Sequence, residues 1–165
     1  MESKAKLLGH SIHQMLIVFP LGLLATAVIF DIVYIVGNEL LFAEIAYWLI
    51  VAGLIGGALA APFGLIDWLG IPRGTRAKRV GAVHGLGNVG VLGLFLASVL
   101  LRPELATAPP VAAYACSFAG AALALVTAWL GGELVARLGV GVSDSANLDA
   151  PSSLRAGRRD QVAAG

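Results

Sequence analysis

Four long apolar stretches, at about residues 14–36, 45–70, 80–101 and 111–137, dominate this chain of 165 residues. A helix needs roughly 20 mostly apolar residues to cross the hydrocarbon core of a bilayer, and each stretch is that long. In lipid a spanning segment must satisfy its own backbone groups, so runs of this kind specify helices. Composition agrees: 58% of the residues are hydrophobic and 13% charged, against about 25% charged in a soluble domain. The expected fold is all-α, a transmembrane four-helix up-and-down bundle occupying residues 14–138. Residues 1–13 read as a cytoplasmic N-terminal segment, and 139–165, rich in Gly, Ser, Ala and charge, as a flexible cytoplasmic tail. The first stretch follows Lys4 and Lys6, but it is too long for a signal-peptide core and no cleavage pattern follows it. It reads as a retained helix.

Basic residues set the orientation. Lys4 and Lys6 precede helix 1; Arg73, Arg76, Lys78 and Arg79 separate helices 2 and 3; Arg137, Arg155, Arg158 and Arg159 end or follow helix 4. Arg102 alone lies on the other side, with Glu39, Glu44 and Glu104. Both termini are therefore expected in the cytoplasm and the protein in a bacterial inner membrane, multi-pass, with the lipid bilayer as its first partner. Tyr34, Tyr47, Trp48 and Tyr114 fall near the outer helix ends, and Trp68 and Trp129 near the inner ones, as an interfacial belt would. The small-xxx-small pairs Gly53/Gly57 and Gly81/Gly85 read mainly as close-packing positions.

Several function classes are excluded. A net charge of +1, with no basic patch interleaved with aromatics, argues against nucleic acid. One cysteine, Cys116, allows no internal disulfide or Cys-based metal site and reads as a packing residue. Neither a Ser–His–Asp arrangement nor a phosphate-binding Gly loop is present, so hydrolase or kinase chemistry has no support. A redox role stays open.

The polar residues of the spans coincide in depth. His10 and His13 open helix 1, Asp67 closes helix 2, His84 and Asn88 open helix 3, and Glu133 and Arg137 close helix 4. His10 and His13, three apart, share a face if the helix reaches back that far; His84 and Asn88 share one at i, i+4. Each hairpin carries a histidine at its start and an acid at its end, which suggests a rough two-fold relation about the membrane normal. Ionisable groups at such depth are functional hypotheses by default. Bland readings stand beside them: Glu133 and Arg137 as an i, i+4 ion pair, Asp67 as an interfacial cap, His10 as an exposed residue ahead of the helix. Asp31 is 18 residues past His13, ~27 Å away at helical rise. It belongs to the outer end, paired with another helix or hydrated.

Three readings of the cluster follow. His13 and His84, on different helices at one depth, suit the axial positions of a non-covalent haem b, since no C-x-x-C-H is present. Gly81, Gly85 and Gly87 would leave room for the macrocycle, and Arg76, Lys78 and Arg79 would meet its propionates. Such a site would carry electrons between a membrane carrier, such as a quinone, and a redox partner protein. Alternatively His10, His13, His84, Asp67 and Glu133 hold a divalent metal, zinc, iron or manganese, in a binding or transport-related protein. In the third reading His10, Asp67, Asn88, Glu133 and Arg137 join the two histidines in a polar clasp that only fixes the helix ends.

At these residues the chain resembles a family of bacterial four-helix membrane proteins, domain of unknown function 2231. The likeness covers about residues 9–142 and rests on "GHSIHQMLIVFP", "GLIDWLGIP", "RVGAVHGLGN" and "WLGGELVARLGVGV". Family members usually open G-H-P-x-H-P-M; Ser11 and Gln14 stand here for the prolines, which lets the helix start earlier. The resemblance implies a four-helix membrane domain and no established activity. Some relatives carry a fused Rieske domain or cytochrome-like partners, which implies electron transfer by analogy.

Overall fold

The computed structural model describes residues 1–102 and 107–154. A short antiparallel hairpin, β1 (Lys6–Leu7) and β2 (His10–Ser11), leads into α1 (Ile12–Leu16) and α2 (Val18–Gly37). Then come α3 (Leu40–Gly70), α4 (Arg76–Leu100), α5 (Val111–Gly132) and a closing π-helical turn, Glu133–Arg137. Among the described residues four helical spans are long and apolar enough to cross a membrane, Ile12–Gly37, Leu40–Gly70, Arg76–Leu100 and Val111–Arg137. The expected four-helix membrane fold is observed. Glu104, Arg155, Arg158 and Arg159, used above to orient the chain, lie outside the described residues.

Local chemistry sets the boundaries. Asn38 ends α2 in the left-handed region (φ 56°), its N–H bonded back to Tyr34 O at 2.7 Å, the helix stop that Asn and Gly make most readily. Thr75 caps α4 by accepting from Lys78 N at 3.1 Å. The third helix begins at Leu40 rather than at the expected 45, because nothing after Asn38 interrupts helical pairing and the half-buried Glu44 is accommodated inside it. The first span begins at Ile12, two residues early. Ahead of it the hairpin turns through Leu8 (φ 51°) and Gly9 (φ 87°). Two positive φ values are what a tight two-residue turn of the primed kind demands.

The packing inverts that of a soluble bundle. Ala27, Ala46, Ala113, Ile50 and Phe95 are at most 1% exposed. So are Asp31, Ser98 and Ser117. Outward lie Leu21, Ile29, Ile55, Leu59, Leu86, Val89 and Leu125, each more than half exposed to the surrounding medium. With lipid as solvent, association rests on close contact and polar links rather than on hiding apolar surface. Gly53 and Gly57 provide that contact, since a Cβ on either would stand 2.6 Å from Leu24 or Leu92.

Candidate functional site

The hairpin around Gly9 decides the fate of His10. Placed in β2 instead of a helix, His10 is exposed, and its Nδ1 lies 3.3 Å from Leu8 O. It therefore shares no helical face with His13. His13 does enter the bundle, half-buried on α1, with Nδ1 3.0 Å from the carbonyl of Ala60 on α3. His84, half-buried on α4, repeats the arrangement in the second hairpin: its Nδ1 lies 2.9 Å from the carbonyl of Thr127 on α5.

One local device serves both rings. A helix carbonyl accepts from the N–H four residues on and keeps a second lone pair. A side chain at that fourth residue would overhang the lone pair. The residues in question are Gly64, four past Ala60, and Gly131, four past Thr127. A Cβ on Gly64 would come 2.8 Å from His13 Cε1, and one on Gly131 3.1 Å from His84 Cε1. Glycine thus opens each carbonyl to an imidazole from the neighbouring helix. The same contact thus recurs in both hairpins.

A ring donating through Nδ1 to a carbonyl is fixed in the tautomer that presents Nε2 as a lone pair. Among the described residues His13 Nε2 has no hydrogen-bond partner. His84 Nε2 lies 3.3 Å from Asn88 Nδ2, whose better bond is to His84 O at 2.9 Å. Thr127 Oγ1 holds Asn88 from the other side by donating to its Oδ1 at 3.2 Å.

The remaining members of the expected cluster take other partners. Asp67 is buried beneath the N-terminal segment, accepting from Ser3 Oγ at 2.8 Å, Lys4 N at 2.7 Å and Ser11 Oγ at 3.4 Å. Its carboxylate caps a strap of chain, and no hydrogen bond joins it to a histidine. Glu133 pairs with Arg76 at 2.7 Å and not with Arg137, which is exposed. The π-helical turn over Glu133–Arg137 removes the α-helical register that an i, i+4 pair needs. The five residues named for a divalent metal are consequently not gathered, and no group of three or more His, Cys, Asp and Glu among the described residues could hold a metal ion.

The surroundings expected of a macrocycle are also redistributed. A Cβ on Gly81 would meet the Trp68 indole at 2.8 Å and one on Gly87 would meet Thr127 at 2.6 Å, so these two positions pack helices. Gly85 faces open space. Lys78 lies over the Trp68 ring, 3.9 Å from its centroid, and donates to Trp68 O at 2.7 Å. Arg76 and Arg79 are both exposed, and Arg76 is paired with Glu133.

Sequence reasoning missed two features of this end. The start of the expected flexible tail is tied down, with Gly141 N donating to Met1 O at 2.9 Å and Ser143 Oγ to Glu2 Oε1 at 2.8 Å. The other is the glycine partner of each histidine. Its signal was present, as a glycine four residues after the accepting carbonyl in "AAPFG" and "TAWLG".

A family model described as a predicted membrane protein (DUF2231) matches residues 9–144. No curated protein matches the chain, and no solved structure does.

Proposed function

The chain belongs to this family of membrane proteins, and on that premise we propose that His13 and His84 are a ligand pair for a non-covalent haem b in membrane electron transfer. The observation that carries the reading is the repeated Nδ1-to-carbonyl bond, 3.0 Å for His13 and 2.9 Å for His84, made through matching glycines. Ligand histidines are ordinarily fixed in this way, with the second nitrogen turned to the metal. The donor set fits: two neutral imidazoles on different hairpins, one of them with an unshared Nε2. Haem, when bound, supplies one-electron chemistry. The protein's part is to hold each ring's orientation and tautomer and to exclude water with the apolar helices around them. The excess of Lys and Arg at this end, in the N-terminal segment and between the second and third spans, supports a cytoplasmic face in a bacterial inner membrane, where a redox partner protein would meet it.

A second reading, the purely structural clasp, is favoured by Asn88 Nδ2 at 3.3 Å from His84 Nε2. Reduced-minus-oxidised spectra of protein purified in mild detergent from haem-sufficient cells separate the two. Sharp α and Soret bands, lost in His13→Ala and in His84→Ala while helix content is unchanged, are the expected result. Colourless protein at full haem supply would overturn the haem reading and leave the clasp.

A further inference from the structure

The opposite end of the bundle holds a second polar assembly, which stands whether or not the imidazoles bind haem. Asp31 on α2 is 0% exposed, and the side chain of Arg102, just past α4, is 3% exposed. Arg102 Nη2 donates to both Asp31 oxygens, at 2.9 and 2.7 Å, and lies 3.4 Å from Ser98 Oγ. Ser117 on α5 adds a bond to Asp31 Oδ2 at 3.0 Å. The carboxylate is well supplied. The guanidinium is not: its Nε and Nη1, both buried, have no hydrogen-bond partner among the described residues, and neither has the buried Tyr114 Oη.

A guanidinium carries five N–H groups, one on Nε and two on each terminal nitrogen. Three of Arg102's are therefore unanswered, beside an unanswered phenol. Native structures rarely leave such groups without an acceptor. Two features define what acceptor suits them. First, Asp31 already neutralises Arg102, and an anion would bring unbalanced charge to a membrane depth where charge is costly. A neutral oxygen meets the donors without that penalty. Second, the donors sit beside flat aromatic surface. Tyr114 lies between Tyr34 (centroids 6.2 Å apart, planes at 20°) and Phe118 (6.4 Å, 28°), and the Arg102 guanidinium is 5.6 Å from the Tyr114 ring centroid. Phe118 is 36% exposed on the lipid side of α5, so the column reaches the bilayer.

We propose that Arg102 and Tyr114 form a binding site for the carbonyl oxygen of a neutral, lipid-soluble molecule, with the Tyr34–Tyr114–Phe118 column flanking it. A quinone ring and a lipid ester both offer that carbonyl. Binding alone is proposed, with no electron or proton transfer at this end.

The test uses the full chain in nanodiscs of defined phospholipid, as wild type and as Tyr114→Phe. Infrared difference spectra follow the carbonyl of a ¹³C-labelled short-chain benzoquinone and, separately, of ¹³C-ester phospholipid. A saturable, down-shifted carbonyl band is expected at one equivalent, from the quinone if it is the ligand and from the ester if the lipid is. Tyr114→Phe should weaken that binding roughly three- to tenfold, the worth of one hydrogen bond, with thermal unfolding unchanged. An absence of shift in both carbonyls overturns the proposal. So does equal affinity in the variant.

Discussion

At one end of the bundle, His13 and His84 each donate to a carbonyl of the next helix, 3.0 and 2.9 Å away. At the other, Asp31, Arg102, Ser98 and Ser117 bring together α2, α4 and α5 through a fully buried ion pair. The histidine contacts are half-buried and local: each ring stitches the two helices of its own hairpin. The second end is charged, buried and crosses from one hairpin to the other. A neutral ring on a helix carbonyl leaves the fold little exposed to its loss and leaves a nitrogen for chemistry. A buried ion pair makes each partner dependent on the other. The ends differ in polarity of offer too, the histidine end presenting an acceptor and the Asp31 end presenting donors.

That contrast is broken most severely by removing one charge. Asp31→Asn leaves Arg102 buried without its counter-charge, which costs about 3–5 kcal/mol for pairs of this kind. Unfolding free energy in mixed micelles, titrated with a denaturing detergent, should fall by that amount. Asp31→Leu combined with Arg102→Met should recover most of it, because replacing both partners by apolar groups is often neutral or stabilising. If Asp31→Asn unfolds like the wild type, the pair is not what docks the hairpins. By comparison, either histidine-to-alanine change removes one hydrogen bond of ~1 kcal/mol.

Within the histidine end the two hairpins can be set against each other. A Cβ at Gly64 would stand 2.8 Å from the His13 ring, against 3.1 Å at Gly131 and His84. Gly64→Ala should therefore cost about 1–3 kcal/mol, the usual range for overpacking. At Gly131 a smaller shift of the ring suffices. There the gain of up to ~1 kcal/mol in helix propensity should leave Gly131→Ala close to neutral. Nitrogen shifts of labelled imidazoles report the outcome, with His13 Nδ1 losing its carbonyl bond in the first variant and His84 keeping its own in the second. Equal effects would show that the two hairpins are tighter copies of one another than these distances indicate.

How far the sequence reveals these ends follows from what each requires. The four spans are legible because lipid demands long apolar runs and nothing else in the chain resembles them. Order along the chain is legible too: His13 falls at the start of the first span and His84 near the start of the third. Facing is not. Whether Asp67 meets a histidine or the strap depends on Leu8 and Gly9 turning back, a local event that no apolar pattern records. Arg102 reads from sequence as a loop residue on the less basic side, and Asp31 as an outer interfacial acid. Their pairing rests on the rotation of α2 against α4, which a bundle apolar all round does not encode. Tyr34 and Tyr114 read as belt residues for the same reason, yet each is 8% exposed and their rings stack in the interior. The five residues named for a metal stand apart for the converse reason: His10, His13, His84, Asp67 and Glu133 each take a different partner.

The smallest expected effect lies at the surface of the histidine end, in the strap that Asp67 anchors. Glu2 pairs with Lys6 and accepts from Ser143 Oγ at 2.8 Å and from Asp144 N at 3.3 Å. The hydrogen bond from Lys6 foremost, then those from Ser143 and Asp144, hold its carboxyl down to about 2 from an ordinary 4.5. A carboxyl depressed on folding stabilises the folded form above its unfolded value and loses that contribution as pH falls through its folded one. The contact between Glu2 and the Ser143–Asp144 turn should thus be whole above about pH 4.5 and weaken progressively toward pH 2. Hydrogen exchange at the Asp144 amide should quicken over that window relative to a free peptide, and Glu2→Gln should abolish the pH dependence. Because the Glu2 side chain lies at the surface, 37% exposed, and outside the spans, the loosening should stay within the strap, and the spans should not unfold with it. Cooperative loss of the bundle in step with Glu2 would mean instead that the strap, not the ion pair at the far end, governs the assembly.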